Sequence, residues 1–329
     1  MRSLRGRTFI VGAVASLALT ACGGSNTTST SSTGGGSGLE KTEISVAVSA
    51  IADHSAIYIA QERGFFKEEG LTVKPEITPS TIATLPKLLN GSLDIAAIAY
   101  FGVIHAQEEK TGDFRVVADA YQAKENIFEI VVPKDSKIQD VKGLEGKRVS
   151  IASLGSIGQL AVGASLKTAG LDPNKSVNWV PLPFPAAPAA LQSGSIDAAW
   201  LTEPFLTNVQ KESGARVIAD TMTGSMADFP IAGWVGTAEW AKKYPKTMAA
   251  FQRAILKGQQ IASSDRKAVE KVLPNYTQIK PDVAAVMNLG TFPTSLSAAR
   301  IQRVADLMLE YGFLKGKFDV APLLVPLPQ

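Results

Sequence analysis

The feature that most restricts what this chain can become is an alternation that starts, stops and starts again. From Glu43 onward short β-rich runs alternate with helical patterns: strands are expected at 44–49, 71–77, 95–99 and 115–120, with helices at 55–63 and 82–90. Gly64 and Gly91 close the two helices, because glycine adopts the left-handed C-cap conformation without a Cβ clash. After a run at 127–132 the same grammar resumes, with strands at 148–152, 177–181 and 198–201 and helices at 156–169 and 186–192. Strand-helix-strand alternation predicts an α/β fold with parallel strands. Two such series in 329 residues, more than one ordinary domain of about 100–200 residues needs, predict two lobes.

Within the two series, Leu88-Leu-Asn-Gly-Ser-Leu-Asp94 is echoed by Leu191-Gln-Ser-Gly-Ser-Ile-Asp197, 103 positions later. Either turn chemistry shared by any α/β unit or a true pseudosymmetry of the lobes would produce the echo. Further strands are expected at 216–219 and 231–236; from Ala238 the pattern is mostly helical and begins no third sheet. The economical topology returns these helices to the first lobe, giving lobe I as 39–129 plus 229–329 and lobe II as 130–228. The runs at 127–132 and 231–236 are then the crossings, and a two-crossing connection is a hinge that can close on a ligand. Pro86 is awkward inside a helix, so the helix there is expected to begin near Thr84 and not Thr81.

Composition narrows the function classes. With 45% hydrophobic and 19% charged residues the chain can bury a core, which excludes a disordered or fibrous protein. One cysteine excludes a disulfide framework and a cysteine zinc site, two distant histidines add little to any metal case, and neither a metal nor a cofactor is expected. The net charge of +3 comes from Arg2, Arg5 and Arg7; without them 30 basic residues face 30 acidic ones. A nucleic-acid partner needs a basic face to neutralise phosphates, and here the two signs are interspersed, so none is expected.

The three arginines precede an apolar run of 11 residues, Phe9 to Leu19, and then Leu19-Thr-Ala-Cys22. That run would span roughly 17 Å as a helix, short of the ~30 Å hydrocarbon core, so it is read as an export signal at 1–21 and not as a transmembrane helix. Leu19-Thr-Ala-Cys22 resembles the bacterial lipobox, which implies that Cys22 is lipidated, becomes the first mature residue and anchors the protein by acyl chains to the outer face of the cell membrane. Residues 23–38 are Gly, Ser, Thr and one Asn, a flexible tether with an r.m.s. span of about 22 Å.

Four stretches of the body have a familiar order: His54 through Arg63-Gly-Phe-Phe-Lys-Glu-Glu-Gly-Leu-Thr-Val73, then Leu89-Asn-Gly-Ser-Leu-Asp-Ile-Ala96, Val141-Lys-Gly-Leu-Glu-Gly-Lys-Arg-Val149 and Gly194-Ser-Ile-Asp-Ala-Ala-Trp-Leu-Thr-Glu-Pro-Phe205. Together they resemble substrate-binding proteins of ABC importers of the nitrate, sulfonate and taurine type, a group that includes binders of thiamine-pyrimidine precursors. The resemblance covers about residues 54–205 and none of 238–329. It implies a type II periplasmic-binding-protein fold, two mixed sheets flanked by helices, that closes on a small solute and delivers it to a membrane permease; a monomer is expected.

Ligands of open α/β sheets sit outside the carboxyl ends of the strands, where helix N-termini expose N–H groups. That rule selects Asp53 and His54 after the first strand, Ser80 and Thr81 after the second, and Tyr100 and Phe101 after the third. From the other lobe it selects Gly155 with Ser156, then Phe184, then Thr202 with Glu203. Tyr100, Phe101 and Phe184 offer flat apolar faces, Ser80, Thr81 and Ser156 offer hydroxyls, and Asp53 and Glu203 are acceptors. Each has a structural alternative: Asp53 as a helix N-cap, Glu203 as the acid opening the helix after Pro204, Tyr100 and Phe101 as core; His105, one turn on, is read as structural. No Lys or Arg falls in these loops, which weighs against guanidinium clamping of an anion. A sulfonate-like solute or an aromatic nitrogen heterocycle is expected. The rivals are a tethered sensor that presents its solute to a receptor and an enzyme on the same fold; the chain lacks a second Cys, a Ser-His-acid spacing and a phosphate loop, so no catalytic residue is assigned.

Overall fold

The computed structural model describes residues 38–328. The signal segment, Cys22 and the tether up to residue 37 lie outside the described residues. In chain order the elements are β1 (Glu43–Val48), α1 (Ser55–Glu62), α2 (Phe65–Glu68), β2 (Thr72–Ile77), α3 (Leu85–Leu89), β3 (Ile95–Ala99), α4 (Tyr100–Glu108), β4 (Phe114–Gln122) and β5 (Phe128–Val132). Then follow β6 (Arg148–Ile151), α5 (Ile157–Thr168), β7 (Asn178–Pro181), α6 (Ala187–Gln192), β8 (Ala198–Thr202), α7 (Phe205–Ser213), β9 (Arg216–Asp220) and β10 (Pro230–Thr237). The chain ends with α8 (Ala238–Lys243), α9 (Pro245–Ser264), α10 (Arg266–Val272), α11 (Pro281–Ala284) and α12 (Ala298–Glu310). The helix around Pro86 is a 3-10 turn at Ile82–Thr84 followed by α3, with Pro86 in the first α-helical turn where its missing N–H has no partner to lose.

Two five-stranded mixed sheets form, in the orders β2-β1-β3-β10-β4 and β7-β6-β8-β5-β9. In each, three parallel strands adjoin one antiparallel strand, β10 or β5. The α/β fold expected from the alternation is thus present twice with one topology. The central parallel strands β3 and β8 are covered on both faces and correspondingly apolar (Ile-Ala-Ala-Ile-Ala and Ala-Ala-Trp-Leu-Thr), whereas the edge strands β2 and β7 are largely exposed.

The 103-residue echo is built into this architecture. Val46 pairs with Ile95 in the first sheet and Val149 with Ala198 in the second, the same offset on both strands. Asp94 donates its N–H to the carbonyl of Ser45 and accepts the Ser45 N–H on its carboxylate at 2.9 Å; Asp197 does the same with Arg148, accepting at 2.8 Å. Pseudosymmetry of the two halves, and not coincident turn chemistry, accounts for the echo.

The helices after β10 return to the first sheet. On α9, Gln252 Nε2 donates to the Val117 carbonyl at 2.7 Å and Gln259 Nε2 to the Asp119 carbonyl at 2.7 Å, satisfying β4 from above. A Cβ at Gly258 would overlap the Ala56 carbonyl, so glycine there lets α9 lie directly on α1. The chain end forms a bridge from Leu324 to Val116 on the outer edge of β4.

Candidate functional site

A cavity of about 120 Å³ lies where the carboxyl ends of the parallel strands of both sheets meet. The loop after β1 and the start of α1 contribute Ser49, Ile51, Asp53 and His54; the loop after β2 contributes Ser80 and Thr81; from the second half come Ser153, Gly155 and Ser156 at the start of α5, Phe184 after β7, and Thr202 at the end of β8. Eight of the residues selected from sequence therefore line one cavity.

Tyr100, Phe101 and Glu203 do not line it, which corrects the sequence reading. No loop separates β3 from α4, so Tyr100 and Phe101 are turned at once into a helical interface. Tyr100 is packed beneath Gly233 of β10 and faces Asp119 and Arg300, and the Phe101 ring meets Phe313 edge-on at 5.0 Å. His105 lies against Phe101, consistent with its structural reading. Glu203 turns behind the cavity wall: its carboxylate accepts from the Thr207 hydroxyl at 2.8 Å, the Thr207 N–H at 3.1 Å and the Asn288 N–H at 3.2 Å. It is the acid at the start of α7, where the helix dipole favours it, and its carbonyl also accepts the Ala52 N–H at 3.2 Å. Glu203 thus links the second half to Ala52 and Asn288.

Among the cavity residues that were not selected from sequence are Ser49, Ser153, Phe128, Trp200 and Ile231. Three of them had a readable signal. β5 and β10 run antiparallel, so their amino ends lie at the same edge as the carboxyl ends of the parallel strands; Phe128 pairs with Thr202, and Ala232, next to Ile231, pairs with Ala99. Trp200 stands two residues before Thr202 and so faces the same side of β8. Its ring stacks on Phe128 at 5.0 Å and 11°, Phe184 tilts against it at 5.9 Å, and its Nε1 donates to Thr221 at 2.9 Å.

The electrostatics are unbalanced. Asp53 and His54 are the titratable side chains on the cavity wall, and among the described residues no lysine or arginine lines it. Burial pushes Asp53 up to about 7. Burial pulls His54 down to about 4, against a bond to Ser49 that favours its charge. His54 Nδ1 lies 2.9 Å from the Ser49 amide nitrogen and 3.2 Å from the Ser49 carbonyl oxygen; it accepts from the first when unprotonated, and donates to the second, the bond that favours the charged ring, when protonated. Across the cavity α5 starts with Ser156, whose side chain makes no capping bond, and no acid occupies the first turn; its first N–H groups have no intrahelical partner. The cavity therefore presents an acceptor at Asp53, donors at the start of α5, and an aromatic wall. No cluster of three or more metal-ligating side chains occurs among the described residues.

Comparison with known proteins places this arrangement in context. A model of the NMT1-like family matches residues 37–273. YtlA of Bacillus subtilis (strain 168), provisionally named a binding protein, is 25% identical over 233 residues, covering 70% of this chain and 69% of its own length. A relative from Uromyces fabae is named 4-amino-5-hydroxymethyl-2-methylpyrimidine phosphate synthase, an enzyme; it is 23% identical over 261 residues, 74% of this chain and 72% of the relative. The alkanesulfonate-binding protein SsuA from Xanthomonas axonopodis pv. citri, solved bound to MOPS, superposes with a TM-score of 0.73 at 19% identity, covering 87% of this chain and 99% of that one. That similarity establishes the periplasmic-binding-protein fold expected from the sequence.

Proposed function

Because the chain belongs to the NMT1-like family, whose model matches 37–273, we propose that it is an extracytoplasmic solute-binding protein that captures a small organic solute between two lobes and delivers it to an ABC importer. The observation that carries this reading is the cavity shared by the carboxyl ends of two sheets of identical topology, with residues of both on its wall. Lobe I is assigned to 39–129 plus 229–329 and lobe II to 130–228, with Phe128 and Glu129 passing to lobe II because β5 pairs along its length with β8 and β9. The two connections between β4 and β5 and between β9 and β10 act as the hinge. Asp53, His54, Ser80, Thr81, Gly155, Ser156, Phe184 and Thr202 hold the solute, together with Trp200 and Phe128. The protein acts as a monomer tethered through lipidated Cys22 to the outer face of the membrane.

A binding role is also favoured over catalysis by the chemistry of the wall. Its two titratable groups are neighbours in sequence, and His54 is engaged with Ser49, so neither is arranged as an acid-base pair around a common point. The test is a thermal-shift screen of the full chain against sulfonates, nitrate, pyrimidines, purines and amino acids, followed by mass analysis of the recovered solute. A solute bound at a hundredfold excess over Kd stabilises the folded state by about 2.7 kcal/mol, a shift of several degrees. A hit recovered unchanged is the expected result. A hit recovered altered would assign an enzyme, and co-purification with a receptor in place of a permease would assign a sensor. Acyl labelling that persists in Cys22→Ala would refute the anchor.

A further inference from the structure

Asp53 is the one cavity group that the fold leaves without a sufficient partner. The residue is 2% exposed, its Oδ1 accepts no hydrogen bond, and no cationic side chain shares the cavity wall. Buried polar groups are nearly always paired, and leaving a carboxylate oxygen unpaired out of water is unfavourable. A donor carried by a bound solute would supply that partner. No polar group of the wall is bonded to that oxygen: His54 Nδ1 is engaged with Ser49, Gly155 N–H is taken by Gln159 at 2.8 Å, and the Ser156 hydroxyl donates to the Ser153 carbonyl at 2.6 Å. One part of the wall is flat and aromatic, with Phe128 stacked on Trp200 and Phe184 leaning on the same ring.

We propose, building on the solute-binding reading above, that the solute is a planar unsaturated molecule bearing an N–H donor, amidine-like or amino-heterocyclic, whose donor meets Asp53 while its ring lies on the Trp200 wall. A plain oxyanion brings only acceptors to Asp53 and is disfavoured. The groups packed around Asp53 add no cation. His54, the next residue, stays neutral above about 4; Tyr121 of β4 and Tyr276 are both pushed well above the usual tyrosine range by burial, with the Asp53 charge contributing; and Glu203 adds negative charge beyond Tyr121.

The experiment is calorimetric titration of the full chain with benzamidine and with benzenesulfonate, which share a ring and differ in the charge and hydrogen-bonding sense of the head. At pH 8 benzamidine is expected to bind at least tenfold more tightly than benzenesulfonate, and Asp53→Asn to weaken benzamidine at least tenfold. In the wild type, benzamidine affinity should fall about tenfold per pH unit below about 7 as Asp53 takes up a proton, an arm that does not depend on how the variant folds. Asp119 and Glu129 are also pushed up to about 7 but line no part of the cavity, so the pH dependence must vanish in Asp53→Asn. Equal or tighter binding of benzenesulfonate, indifference to Asp53→Asn, or failure of both probes to bind overturns the proposal. If some other solute still shifts the melt in the screen, the solute-binding reading survives that result; if none does, both fall.

Discussion

The two halves of the molecule share a topology and an offset of 103 residues, yet they meet the cavity with different chemistry. At that offset Asp53 corresponds to Ser156 and Ala97 to Trp200, and all four line the cavity. The first half supplies the buried acid and a small residue; the second supplies a hydroxyl at an uncapped helix start and the large aromatic ring. A duplicated scaffold fixes where a wall residue stands and leaves open what it is. Division of labour follows: one half orients a polar group, and the other supplies the surface on which a flat molecule rests.

The largest expected effect comes from erasing the aromatic half of this contrast. Trp200→Ala makes position 200 like position 97, removes the stack on Phe128 and strips Thr221 of its donor. Truncating a buried tryptophan costs about 3–5 kcal/mol, and urea unfolding should report a loss of that size with weakened solute binding. A loss below about 1 kcal/mol would mean that the wall is not packed and that the contrast with Ala97 has no structural weight.

Next comes the acid half. Asp53 has its folded value raised, so its contribution to stability is fully present below the unfolded value and is lost as pH rises through about 7. His54 has its folded value lowered, so its contribution is present above about 6.5 and is lost as pH falls toward about 4. Between those limits the two slopes oppose one another. Asp53→Asn removes one of them, and from pH 4.5 to 6.5 the variant should gain about 3 kcal/mol relative to the wild type over the same interval. Parallel stability-pH curves for the two proteins would show that Asp53 is not buried as an acid.

The echo itself supplies the third contrast. Asp94 is buried, pairs with Lys41 at 2.6 Å and also accepts from Trp240 Nε1 at 2.8 Å; Asp197, with a side chain about one-third exposed, is paired with Arg148 at 2.9 Å. Removing Asp94 strands a buried indole N–H and a strand amide, so Asp94→Ala should cost about 3 kcal/mol. Asp197→Ala should cost no more than about a third of that, because solvent replaces much of what is lost. Equal losses would indicate that the pair of aspartates anchors both halves equally.

These contrasts also measure what could be seen before the structure. The strands, the two series and the offset were legible because apolar periodicity and glycine caps are local signals. Eight cavity residues were legible because the strand-end rule depends on topology alone. Tyr100 and Phe101 were misplaced because the rule presumes a loop after β3, and the chain enters α4 without one. Glu203 was misplaced because its partner Asn288 lies 85 residues away, in a stretch without a motif. Phe128 required one further step, that an antiparallel strand begins where its parallel neighbours end. Cys22 and the tether rest on sequence alone.

The smallest expected effect lies at the exposed surface, where two ion pairs join the second half to the C-terminal region. Lys167 of α5 meets Glu310 at 3.0 Å and sits 4.7 Å over the Tyr311 ring, and Lys211 of α7 meets Asp282 at 2.5 Å. Because they connect the second half to the C-terminal region, these pairs invite the view that they hold the halves together. Their exposure argues otherwise: each partner is between 39% and 62% exposed, so water solvates the charges in either arrangement and salt screens what attraction remains. The link through Glu203 is different, because its carboxylate is buried and bonded to Thr207 and Asn288, and breaking it leaves unpaired donors out of water. Lys167→Met and Lys211→Met, which retain much of the apolar stem, should each lower the melting temperature by less than about 2 °C, and 0.5 M salt should abolish the difference from wild type. Glu203→Gln should lower it further and remain insensitive to salt. If the lysine variants instead melt well below Glu203→Gln, the halves are held by their exposed surface pairs, and the interior contacts around the cavity are free to form around a solute instead of being set beforehand.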